Sequence, residues 1–178
     1  MSKSLYFLFF VMFFPFSFAV KNDLEYVKDF DYTKYAGSWY EIARLPVSFE
    51  NKCQYPITAN YQWHEDGKYL KVKNQCVEKD GFLNIANGRA YFVESLNVAK
   101  LEVSFLPRFL SWIPMTKGDY WVIKTDYVTY SLVGSPNHKY FWILARKRLL
   151  NKELLNELLQ VAKINGYNTD QLVYTSEI

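Results

Sequence analysis

The chain predicts an all-β domain of about eight antiparallel strands followed by one helix, on three observations. Short runs of alternating apolar and polar residues recur between residues 39 and 146, turn signals punctuate them at even spacing, and a leucine stripe at helical spacing comes after them. Alternation with a period of two, built from β-branched and aromatic residues, marks strands with one buried face, whereas a period near 3.6 marks an amphipathic helix. A length of 178 residues suits one domain, and a content of 50% hydrophobic and 19% aromatic residues can fill its core.

The elements follow in order. Residues 1–19 read as a cleaved export signal. Lys3 gives a positive start, Leu5 to Phe14 is an apolar run, Pro15 breaks it, and Ser17 and Ala19 put small residues three and one before a cut ahead of Val20. The run is too short to span a hydrocarbon core, which needs about 20 residues. The domain is then 20–178, with no cysteine after the cut for lipid attachment. Residues 23–34 read as an extended arm. Strands are predicted around Tyr40–Ala43, Ala59–Trp63, Leu70–Lys73 and Leu101–Phe105, among others. Between them lie Asp66-Gly67, Asp80-Gly81, Gly118-Asp119 and Ser135-Pro136-Asn137. Asp-Gly suits tight turns because both residues tolerate positive φ. Leu154, Leu155, Leu158, Leu159 and Ala162 then form a helix, with Asn151 as its cap and Gly166 at its exit. Leu172-Val173-Tyr174 can add a last short strand.

The composition removes several function classes. A balance of 21 basic against 18 acidic residues is too even for a nucleic-acid binder. Two cysteines are too few for a disulfide scaffold, and 7 glycines and 6 prolines exclude a low-complexity chain. Neither His64 nor His138 has a partner at metal-ligand spacing. No nucleophile elbow, P-loop or dinucleotide fingerprint occurs, and Glu41 and Asp126 are too dispersed for an acid–base pair. No catalysis, metal or cofactor is expected.

Strand count alone leaves a barrel and a sandwich open. Three motifs decide between them: Gly37-Ser38-Trp39 opening the first strand, Thr125-Asp126-Tyr127 after the sixth, and Arg146 ending the eighth. In order and spacing these blocks resemble the signature of the lipocalin family. The stretches Tyr40–Arg44, Ala59–Tyr61 and Lys100–Phe105 are most similar to the bacterial lipocalins and apolipoprotein D. The resemblance covers the whole domain and implies an eight-stranded antiparallel up-and-down β-barrel with a C-terminal α-helix packed outside. It also implies a small hydrophobic ligand, a fatty acid or lysophospholipid, handled in envelope lipid storage, transport or repair. That places the exported protein in a periplasm or outside the cell.

Such a barrel holds one small ligand when one end is plugged. Gly37, Trp39, Thr125, Asp126, Tyr127 and Arg146 are the expected closed end, with the Arg146 guanidinium stacked on Trp39. With Trp39 inside, alternation points Ala43, Ile57, Ala59, Tyr61, Leu70, Val72, Asn74, Ala86, Gly88, Ala90, Leu101, Val103, Phe105, Tyr120, Val122, Ser131, Val133, Tyr140, Trp142 and Leu144 into the lumen. That lining is apolar with few polar handles, as an acyl chain requires.

At the mouth, Phe49 lies on the first loop, and Phe109 and Trp112 lie on an apolar loop between strands five and six. The expected ligand contacts are Phe49, Ala59, Tyr61, Val103, Phe105, Phe109, Trp112, Tyr120, Tyr140 and Trp142, with Arg108 and Lys117 meeting a polar head group. The same apolar loop can touch a membrane transiently or a second copy of the chain. Cys53 and Cys76 are either a disulfide or two buried thiols, since simple hairpin geometry sets Cys76 opposite Ile57. The alternative function is an interaction protein with a filled barrel, whose Trp112 loop docks a partner or dimerises.

Overall fold

In the computed structural model the described residues are 24–66, 68–107 and 117–175. The expected signal 1–19, and with it Arg108, Phe109 and Trp112, lie outside them. Eight strands form: β1 (Gly37–Arg44), β2 (Cys53–His64), β3 (Tyr69–Glu78), β4 (Leu83–Phe92), β5 (Lys100–Ser104), β6 (Gly118–Thr125), β7 (Tyr130–Gly134) and β8 (Phe141–Ala145). Each pairs antiparallel with the next, and β1 pairs with both β2 and β8, so the sheet closes on itself. Closure removes the unpaired edges that would otherwise invite aggregation. A ninth strand, β9 (Val173–Tyr174), adds to the upper half of β1.

Two cores share this wall. Inside the barrel, Phe30, Tyr35, Trp39, Leu70, Leu101, Val122 and Val133 pack together at the end where β1 begins. Outside, α2 (Lys152–Ile164) lays Leu155, Leu158 and Ala162 against Ile42, Ala43, Phe141, Ile143 and Ala145. Asn151 caps α2 by accepting the Leu154 N–H at 2.7 Å. Gly166 leaves the helix at φ +85°, a conformation that costs glycine nothing. The arm before β1 ties into β6 and the residue just ahead of β5: the Val27 N–H donates to the Val122 carbonyl and the Ala99 N–H to that of Val27. It ends in the short helix α1 (Tyr32–Tyr35), capped by Asp31.

The predicted inward phase holds on every strand but one. The register shifts between Glu41 and Ala43 on β1. Ala43 therefore faces α2 rather than the lumen, as its place in the outer core shows. Glu41 and Arg44 pair across β8 with Leu144 and Trp142 and take the inward positions. A bulge inserts one residue and turns the following side chains over.

Cys53 and Cys76 are bridged, with Cα atoms 5.5 Å apart. The β2–β3 register shifts between Thr58↔Gln75 and Gln54↔Val77. Two extra residues on β2 reduce the offset of four expected from a regular hairpin to a diagonal of two, within bridging reach.

Candidate functional site

At the closed end the chain satisfies itself. Arg146 stacks its guanidinium 3.7 Å from the centre of the Trp39 ring. Its N–H groups donate to the carbonyls of Lys34, Tyr35, Ala36, Ser38 and Tyr127. The Trp39 indole donates to the Tyr35 carbonyl at 2.9 Å. Gly37 sits at φ +97°, where a Cβ would come within 3.3 Å of Arg146 Nη1, so both backbone and space call for glycine.

Thr125 ties the β6–β7 turn by donating to the Tyr130 carbonyl and accepting from the Tyr127 N–H. Asp126 accepts from the N–H groups of Val128, Thr129 and Tyr130. Burial opposes its charge, but these hydrogen bonds outweigh burial and hold its carboxyl below the usual value. The six residues expected at the closed end thus form one network of stacking, turns and caps.

Above this plug the barrel opens into a cavity of about 620 Å³. Its floor is a cluster of phenols: the Tyr120 hydroxyl lies 2.8 Å from that of Tyr35 and 2.7 Å from that of Tyr61. Burial pushes the Tyr35 hydroxyl up to about 12, and it likewise raises Tyr61 and Tyr120 well above the ordinary phenol range. The floor is therefore neutral. The walls carry Ile57, Ala59, Val72, Ala86, Val103, Trp142 and Leu144, and Ala59 and Ala86 leave the room. In the row Trp39, Ala59, Asn74 and Ala86, which face one another across four strands, the two alanines flank a single amide.

The expected ligand contacts Phe49, Ala59, Tyr61, Val103, Phe105, Tyr120, Tyr140 and Trp142 all line this cavity. Phe105 lies over Gly88, where a Cβ would stand 2.8 Å from its ring. Tyr140 and Trp142 stack in parallel, centroids 6.0 Å apart, and Phe49 reaches to 6.4 Å from Tyr140 while staying mostly exposed at the rim. Lys117 lines the mouth with its ammonium 3.1 Å from a Glu102 carboxylate oxygen. Phe109, Trp112 and Arg108 lie outside the described residues.

The cavity also brings in charged groups that the reading of the sequence passed over. Glu41 and Glu50 both line it, and both lie within ion-pair distance of Arg44. Burial first, then the neighbouring Glu50 charge, push the Glu41 carboxyl well above its ordinary value against the pull of Arg44. The signal was present: counting by two from Trp39 puts Glu41 inside. Asp119 adds a carboxylate at the rim, raised by burial and by Glu102.

No helix among the described residues is long and apolar enough to cross a membrane. Nor, among those residues, do three or more His, Cys, Asp or Glu side chains gather as metal ligands. A barrel sealed at one end by its own side chains and hollow at the other defines a binding protein for small molecules rather than a filled structural barrel.

Residues 30–177 match the lipocalin-like domain. The chain is 33% identical over 153 residues to the outer membrane lipoprotein Blc of Vibrio cholerae, with 85% of each covered. It is 38% identical over 158 residues to apolipoprotein D of Macaca fascicularis, covering 84% of this chain and 78% of that one. The fold is similar to insecticyanin from the tobacco hornworm Manduca sexta, with a TM-score of 0.64 at 22% identity, covering 88% and 85% of the two chains. The chain belongs to the lipocalin family, whose barrels bind small hydrophobic ligands.

Proposed function

We propose that the protein binds and carries a single-chain lipid, a fatty acid or lysophospholipid, for storage, transport or repair of envelope lipids. The cavity carries this reading. It measures about 620 Å³, inside the roughly 300–1,000 Å³ range of small-molecule sites. Its floor is neutral, and much of its wall is apolar, with Ile57, Ala59, Val72, Ala86, Val103, Trp142 and Leu144 on it. Each methylene transferred from water contributes about 0.8 kcal/mol, so chain burial alone gives useful affinity.

Residues 1–19 direct export and leave Val20 as the first residue, which N-terminal sequencing of exported protein tests. The rim supports transient contact with a lipid surface: Phe49, Phe82, Leu83 and Phe105 are exposed around the open end, and an apolar patch of this kind marks an interaction site.

Native mass spectrometry of protein purified without detergent tests the central reading. The expected result is a discrete added mass that organic extraction identifies as one lipid per chain. An unshifted spectrum, with tryptophan emission unchanged on adding fatty acid or lysophospholipid, would overturn it.

A further inference from the structure

Glu41 is the group in the cavity that simple chain burial does not use. It lies on β1 opposite Leu144, one inward step above Trp39, and is only 5% exposed. Its Oε1 stands 3.3 Å from the Arg44 Nε, yet among the described residues no hydrogen bond reaches that oxygen. The reason is local: Arg44 donates its Nε–H to Glu50 Oε2 and an Nη2–H to the Glu50 carbonyl. One guanidinium is shared between two carboxylates. With both ionised, the cluster lacks one positive charge in a desolvated place, where an uncompensated charge is costly.

The same bias runs around the cavity. Asn74 Oδ1, also on the lining, is buried with no partner among the described residues. Asp119 adds another carboxylate, and the Lys117 ammonium is already paired with Glu102. The unpartnered buried atoms of this lining are acceptors awaiting a donor.

We propose that Glu41 and Glu50 form a subsite for a protonated amine of the ligand, so that the cavity selects single-chain lipids carrying an ammonium over those ending in a free carboxylate. This inference rests on reading the cavity as a single-chain lipid site and narrows it. An ammonium beside Glu41 supplies the charge that Arg44 alone does not. A ligand carboxylate there adds a third negative group.

In the empty cavity the missing charge is a proton held on Glu41, faced by Arg44 from β1, Glu50 from the first mouth loop and the Thr175 hydroxyl beside β9. On binding, the Glu41 carboxyl gives that proton to solvent and its carboxylate accepts the ligand N–H. The preference for amine therefore grows as pH rises.

Calorimetry with tetradecylamine, tetradecanol and tetradecanoate, each below its micelle concentration, tests this on the wild-type protein, Glu41→Gln and Glu50→Gln. Near pH 8 the wild type is expected to take the amine about tenfold or more tighter than the carboxylate, with the alcohol between them. Glu41→Gln brings amine and carboxylate to within about threefold of one another. Near pH 6, amine binding to the wild type releases a proton, read from heats in buffers of different ionisation enthalpy, and Glu41→Gln abolishes that release.

Equal affinity for amine and carboxylate in the wild type, or full preference retained in Glu41→Gln, overturns the proposal. Should Glu41→Gln fail to fold, Glu50→Gln removes the same excess charge and is held to the same result, alongside proton release in the wild type. The alcohol separates the two claims. If it binds while amine and carboxylate do not differ, the subsite falls and the lipid cavity stands. If none of the three binds, the cavity reading falls with it.

Discussion

The two ends of the barrel are built from the same strands and solve opposite problems. At the closed end, five backbone carbonyls converge on Arg146, three N–H groups on Asp126, and Trp39 is wholly buried. At the open end, Glu41 Oε1 and Asn74 Oδ1 are buried with no hydrogen bond from any of the described residues, and phenylalanines stand in solvent. A polar group buried without a hydrogen bond costs about 1–3 kcal/mol. The closed end therefore stabilises the fold, and the open end gives up part of that stability in a form a ligand can restore.

Mutations should separate the two ends. The largest effect is expected from Arg146→Ala, which strands several carbonyls and the Trp39 face. A loss of about 3 kcal/mol or more in urea unfolding is expected, and Arg146→Lys should rescue little of it, since an ammonium cannot reproduce the guanidinium fork. A Lys variant as stable as the wild type would show that charge alone holds this end. Replacing both Cys53 and Cys76 by serine should cost about 2–3 kcal/mol by the same measurement, through freedom returned to the unfolded chain.

Asp126→Ala should cost about 1–2 kcal/mol at neutral pH. Because the folded carboxyl titrates below its unfolded value of 3.8, this contribution is present above that value and is lost as pH falls through the lower folded one. Wild type and variant should converge in thermal stability in acid.

At the open end, Ala86→Phe should abolish lipid binding by filling the cavity, while changing stability by less than about 1.5 kcal/mol because the space already exists. A stability loss as large as that of Arg146→Ala would mean that the cavity wall is packed as tightly as the plug.

The smallest effect should be that of Glu41→Gln on stability, visible as a slope rather than an offset. The folded carboxyl is raised above its unfolded value of 4.5. Its contribution is therefore complete below that value and lost as pH rises through the folded one. The variant should flatten the decline of melting temperature with pH, and an unchanged slope would mean that Glu41 does not titrate in this range.

The amino-acid sequence by itself determined the strand count, the outer helix, the plug residues and the inward phase of nearly every strand. Alternation, turn chemistry and capping are local properties, legible in a few neighbouring residues at Asn151 or Gly37 as much as along β4. Seven cavity-lining positions, Ala59, Tyr61, Val103, Phe105, Tyr120, Tyr140 and Trp142, followed from that phase once Trp39 was set inside.

Only the tertiary structure decided the rest. The bulge after Glu41, which sends Ala43 to the helix and Arg44 to the lumen, and the register shift that brings Cys53 to Cys76 both depend on how a strand meets its partner. The sharing of Arg44 between Glu41 and Glu50 depends on how the first mouth loop folds back over β1. Register irregularities and side-chain clusters are settled by contacts between distant segments, so no local pattern in the chain encodes them.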